Sequence, residues 1–201
     1  MKRMLILFPL VLALIIISTT CVLAAGPPIQ TIKGEWATIG TRSCVQANVG
    51  GDFGPGPQYR LLTDGTTRVV QEAGVLSLFG DGTGSWSGKF IQINYQSVTA
   101  YAYPVTGYIT DCDVTYQAMS DGTIMFTFKN CEGTFTEGYL TGSLEGSYTD
   151  VVEYAQLSTD GGTLLIWDLA PNVQTTWSTT SGVTTIYKKI CSRTGTAIKV
   201  R

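Results

Sequence analysis

The sequence predicts an all-β fold, an antiparallel up-and-down barrel of about 8–10 strands preceded by a signal peptide. Three observations carry this. Tight-turn signals built on Asp-Gly or Ser-Gly recur along the chain, separated by segments rich in Val, Ile, Thr, Tyr, Phe and Trp. No stretch beyond the first 24 residues sustains an apolar stripe of helical period. Only 14% of the 201 residues are charged while Gly reaches 23, which suits neither a coiled coil nor a charged disordered chain.

The first segment reads as an address. Lys2 and Arg3 precede an uncharged run from Leu5 to Ile17, and Val22-Leu23-Ala24 offers a cleavage site after Ala24. The run is short for a membrane span, which needs about 20 residues. Residues 1–24 are therefore read as signal peptide and 25–201 as a single β-barrel domain, secreted or periplasmic, with no stable membrane insertion after cleavage. A lipid anchor on Cys21 is the less favoured alternative, because Ser18 and Thr20 stand where such a site wants Leu and a small residue. Removing Lys2 and Arg3 leaves eleven basic residues against fifteen acidic ones, so no basic face for nucleic acid is expected.

The strands then follow in order. They are expected near 35–47, 67–79, 84–95, 98–103, 107–118, 124–133, 139–157 with a break, 162–169, 173–179 and 183–191, with a short one near 196–200. Turns are read at Thr63–Thr66, Gly80–Thr83, Ser120–Thr123, Thr159–Gly162, Thr180–Val183 and Arg193–Thr196. Residues 48–60 carry four Gly, two Pro and an Asp and read as a long loop. With Ser181-Gly182 as a two-residue turn, Trp177 faces Ile186, Thr175 faces Lys188 and Val173 faces Ile190. If that face is inward, Lys188 is a buried amine needing a partner; otherwise it extends to water at a barrel end.

Four cysteines remain after cleavage: Cys44, Cys112, Cys131 and Cys191. In an exported chain they suggest two disulfides, with three possible pairings. Cys112 and Cys131 flank the turn at Asp121-Gly122. A two-residue turn sets them opposite one another. The apolar pattern, matching Val114, Tyr116 and Ala118 to Phe128, Phe126 and Ile124, instead wants a three-residue loop with a bulge at Gly122. That register places Asn130 opposite Cys112 and needs a further bulge to bring Cys131 round. Cys112–Cys131 is the favoured pair, and Cys44–Cys191 follows by elimination.

Chemistry is more sharply bounded by what is missing. The chain has no His, which removes His-based triads, His-ligated haem and most catalytic zinc sites. No C-x-x-C pair supports an all-cysteine zinc site, and no Ser-x-x-Lys supplies a serine nucleophile with a base. Asp111 and Asp113 read as a solvated strand face rather than a catalytic pair, and Gly51–Gly56 lacks the Gly-Lys-Ser/Thr of a phosphate loop. No enzyme activity, cofactor or metal is expected.

Gly34-Glu35-Trp36 opens the first strand, and Thr149-Asp150-Val151-Val152-Glu153-Tyr154 lies late in the chain. Together these resemble the lipocalins, whose barrels carry a Gly-x-Trp signature and a late Thr-Asp-Tyr-x-x-Tyr signature. The resemblance rests on Gly34, Trp36, Thr149, Asp150 and Tyr154, with Val151 in place of a Tyr. It implies that these residues close one barrel end, and that a basic residue of the last strand, Lys188 or Arg193, packs over the Trp. The longer gap between signatures and the missing C-terminal helix depart from the family.

The expected role is non-catalytic binding of a small hydrophobic or amphipathic ligand inside the barrel. Trp86, Phe90, Tyr116, Phe126, Phe128 and Trp177 are the expected lining, because alternation sets each on the apolar face of its strand. Two alternatives are a structural or adhesion module of the cell envelope and an outer-membrane β-barrel. Against the last stand outward faces mixed with Thr, Ser, Gln and Lys, four cysteines and a C-terminal Val200-Arg201.

Overall fold

A computed structural model of the chain describes residues 29–55, 60–62, 64–96, 102–168 and 172–201, so the expected signal segment lies outside the described residues. A short 3-10 turn, η1 (Ile29–Ile32), leads into eleven strands: β1 (Gly34–Ala47), β2 (Gly65–Leu78), β3 (Thr83–Gln96), β4 (Ala102–Ala118), β5 (Thr123–Lys129), β6 (Glu132–Glu137), β7 (Leu144–Ser147), β8 (Val151–Leu157), β9 (Thr163–Trp167), β10 (Val173–Thr180) and β11 (Val183–Lys199). All form one antiparallel sheet, and β1 pairs with β11 to close it.

Eleven strands make only eight staves. β5 and β6 pair with successive parts of the same strand, β4. β8 and β7 continue the next stave beside them, and β9 and β10 continue the one beside β11. The lower ring closes through β5, β8 and β9. The upper ring closes through β6, β7 and β10. Both share β1–β4 and β11. The expected break within 139–157 is thus real, and two more staves break at the same level, near Asn130 and after Asp168. The other staves run unbroken. β11 passes straight through Arg193–Thr196, which is not a turn. Gly195 is there for close approach: its pair across β1 is Gly40, and a Cβ on Gly195 would stand 2.9 Å from the Ile39 carbonyl.

Turn chemistry fixes the lower rim. Phe79 and Met119 each donate N–H across to Thr83 and Thr123, enclosing three-residue loops with Gly82 and Gly122 at φ 89° and 88°. Asp81 and Asp121 accept from the following Thr backbone N–H at 2.9 and 3.0 Å, an Asx geometry that sharpens each loop. The register from Ala118↔Ile124 to Val114↔Phe128 is the one the apolar pattern demanded. Ser181 and Gly182, at φ 51° and 80°, form the expected two-residue turn, and Trp177↔Ile186, Thr175↔Lys188 and Val173↔Ile190 all pair as read.

Both disulfides form as favoured, Cys44–Cys191 and Cys112–Cys131. They fit an oxidising compartment outside the cytoplasm. At the second, the inward parity of β4 changes from odd (Val105, Gly107) to even (Cys112, Val114, Tyr116). β5 and β6 change in step, from Phe126 and Phe128 to Gly133 and Phe135. Asp111 and Asn130, at φ 24° and 53°, absorb the extra residue on each side, which is the further bulge that Cys131 required.

Candidate functional site

The barrel interior has three levels. The lowest is solid. Trp36, Leu76, Leu78, Val114, Tyr116, Ile124, Phe126, Ala155, Leu164, Ile166 and Ala197 are all buried in one apolar cluster. Trp36 plugs the end: its indole N–H donates to the Ile32 carbonyl at 2.9 Å, so η1 folds under the barrel as a floor. The Tyr116 hydroxyl donates to the Phe79 carbonyl at the rim.

The middle level is ionic. Arg193 from β11 is buried between Glu72 of β2 and Glu153 of β8 and pairs with both carboxylates. Arg42 of β1 reaches the same two acids at 3.6 and 3.9 Å. Burial alone would lower the Arg193 pKa, but Glu153 and Glu72 outweigh it and hold the guanidinium more firmly charged. Burial likewise tends to raise Glu72, yet Arg42 and Arg193 bring it below the usual range. Asp168, half-buried beside this cluster, accepts the Arg193 backbone N–H at 2.8 Å. Burial first, then the nearby Glu153 charge, pushes its carboxyl up to about 6.

Above this lies a chamber of about 100 Å³ with two unlike walls. One wall is apolar, with Val70, Phe90, Ile109, Phe128 and Phe135; the Phe90 and Phe135 rings meet edge to face at 5.4 Å. The other is polar, with Arg68, Glu145, Gln174 and Lys189. Arg68 Nη1 donates to both Glu145 oxygens at 3.0 and 2.8 Å, and Lys189 Nζ donates at 3.0 Å. Burial opposes ionisation of Glu145, but Arg68 and Lys189 prevail and hold its carboxyl at about 2. Tyr187 stands under the Arg68 guanidinium, 5.4 Å away, and burial followed by the Glu145 charge pushes its phenol well above the ordinary value. The chamber reaches the wall where two broken staves meet. Between the pairs Phe128↔Val151 and Glu132↔Gly146 the ladder is interrupted, and Cys131, Glu132, Ser147 and Val151 line the gap. Lys129 and Asp150 bridge it at 3.1 Å.

Of the expected lining, Trp86, Phe90 and Phe128 do face the chamber. Tyr116 and Phe126 belong to the solid lower core instead. Trp177 faces outward. Gln174 and Thr176 take the inward positions of β10, which turns Trp177 out over Gly146, whose Cβ would stand 2.6 Å from the ring. The same parity puts Lys188 outside, where it pairs with Asp52 of the β1–β2 loop at 2.6 Å. The basic group over Trp36 is Lys199, at 5.5 Å. Gly34 begins β1 and Trp36 sits at the floor. Thr149 and Asp150 lie instead at the break between β7 and β8, where Thr149 Oγ1 accepts the Thr175 N–H at 2.9 Å. Tyr154 is on the outward parity of β8, since Glu153 and Ala155 face in. Asp111 and Asp113 are exposed, as a solvated face should be.

The charged interior escaped the sequence reading. Arg42, Arg68, Glu72, Glu145, Glu153 and Lys189 look like surface residues by type. Their parity tells otherwise: Arg42 lies six residues after Trp36, so the two share a strand face. No protein-family model matches the chain, and no curated protein does.

Proposed function

We propose that this chain is an exported, non-catalytic β-barrel that binds one small amphipathic molecule in its upper chamber. The observation that carries this is the split lining. A chamber with phenyl rings on one side and a buried Arg-Glu-Lys cluster on the other suits a molecule with an apolar body and a polar head. The two disulfides and the leader-like first 24 residues support export. The closed eight-stave ring, the tryptophan floor and the Gly34–Trp36 signature support a distant lipocalin-like relationship.

Mass spectrometry of chain purified from an oxidising compartment tests this. A denatured mass of residues 25–201 less four hydrogens is expected, with an added native mass that leaves on denaturation. Trp86 lines the chamber, so its fluorescence reports occupancy. The absence of both a copurified mass and a saturable change with any member of a broad ligand panel would turn the reading toward a structural module.

That second reading has one observation of its own. The outer face across β2, β1, β11 and β9 carries exposed Val75, Ile39, Ile198 and Leu165 with no charge among them, which suits a surface that binds through its wall.

A further inference from the structure

The polar wall of the chamber is not electrically balanced. Arg68 and Lys189, both nearly buried, share a single carboxylate, Glu145. Burial, the largest influence on Lys189, together with the cations Arg68 and Arg42 outweighs Glu145 and lowers the amine's pKa, and Arg42 is already engaged with Glu72 and Glu153 in the level below. That lower level pairs two guanidiniums with two carboxylates, and Asp168 lies beside it at the Arg193 backbone. Tyr187 is held in its neutral form. The upper cluster thus sets two cations on one carboxylate, while Asp168 is a third acid beside the two guanidiniums below and Glu132 stands exposed at the gap.

Hydrogen bonding shows the same shortfall. Arg68 spends Nη1 on both oxygens of Glu145, and its buried Nε–H, part of the guanidinium's side-on fork, has no acceptor among the described residues. Gln174, buried and lining the chamber, leaves its Oε1 without a partner among the described residues. Its amide can turn about the last side-chain bond and offer N–H to an acceptor instead. The wall thus offers one unpartnered guanidinium donor, an amide that can turn to donate and two cations on one carboxylate, in a chamber that Val70, Phe90 and Phe135 also line.

We propose that this wall is a carboxylate site: a short aliphatic monocarboxylate seats its head on Arg68, Lys189 and Gln174, with its hydrocarbon against Val70, Phe90 and Phe135. This rests on the reading of the barrel as a binding protein and narrows it. A planar carboxylate accepts side-on from a guanidinium and neutralises the cluster at once. The chamber, about 100 Å³, limits the hydrocarbon to a few carbons; a cavity of about 150 Å³ accommodates benzene.

The test is calorimetric titration of the mature chain, with both disulfides formed, against butyrate, butyramide, butylammonium and decanoate. Butyrate is expected to bind saturably at one site, and the other three to bind at least about tenfold more weakly. Arg68→Lys keeps the charge but loses the fork and is expected to weaken butyrate about tenfold. Gln174→Leu removes no charge, serves if the first variant fails to fold, and is expected to weaken butyrate about threefold. Butyramide or butylammonium binding as well as butyrate overturns the carboxylate assignment and leaves a binding barrel. Tighter decanoate overturns the size limit. If no member binds, nor any ligand of a wider neutral panel, both this site and the binding reading fall.

Discussion

Arg193 of β11 and Glu153 of β8 are paired across the barrel interior, although neither strand is hydrogen-bonded to the other. The pair ties two staves of the lower ring together with Glu72 as a third point. Removing the cation leaves the two buried acids only the longer pairs to Arg42, at 3.6 and 3.9 Å. Arg193→Met is expected to cost about 3–5 kcal/mol, read from urea unfolding. Adding Glu153→Leu should cost less than the sum of the two single changes, with a coupling of about 1–3 kcal/mol.

Trp36 and Lys199 meet at the floor but are not equal in energy. Trp36 is buried entirely, so Trp36→Ala is expected to lose about 3–5 kcal/mol. Lys199 is a cation over the ring near the rim, and Lys199→Ala should lose under about 1 kcal/mol. Thermal unfolding distinguishes the two, and neither change should alter ligand affinity in the chamber above.

Two carboxyls give stability opposite slopes with pH. Glu145 falls from 4.5 in the open chain to about 2 in the fold. Its contribution, about 3 kcal/mol, is complete above pH 4.5 and is lost as pH falls toward 2. Asp168 is raised from 3.8 to about 6, so the fold binds its proton more tightly than the open chain does. Stability therefore drops as pH rises from about 4 to about 6. Unfolding free energies measured from pH 2 to 8 should show both limbs, and Asp168→Asn should remove the upper one alone.

The two disulfides close loops of very different length, with sequence separations of 147 for Cys44–Cys191 and 19 for Cys112–Cys131. On loop entropy their removal should cost about 5 and about 3 kcal/mol, measured on paired Cys→Ala variants. The smaller loss should come with local loosening at the gap, since Cys131 lines it.

The sequence made the lower half legible and concealed the upper half, for one reason. Below the waist each stave alternates in the ordinary sense, apolar inward. Val114, Tyr116, Phe126 and Phe128 thus gave the register, bulge included. Above it the polarity of several staves is inverted: Arg68, Gln174 and Lys189 point in while Trp177 and Ile186 point out. A reading that sends apolar residues to the core placed Trp177 inside, and the resemblance offered Lys188 or Arg193 as the basic group over Trp36 where Lys199 stands. Residue type misled there, and parity counted from Trp36 or Cys191 was the better guide. Arg193-Thr194-Gly195-Thr196 looked like a hairpin because its glycine serves close packing against Gly40, a role that composition alone does not separate from a turn.

The waist at which three staves break also divides the pairing of the barrel into two separate circuits. Every pairing that closes the lower ring runs through β5, β8 and β9, and none runs through β6, β7 or β10. The panel of β6, β7 and β10 is held to β4 and β11 by its own ladders, with the Cys112–Cys131 bond at the waist, and those ladders are separate from the pairs of the ring below. Substitutions that weaken the upper ladders should therefore leave the pairing of the tryptophan-sealed base intact.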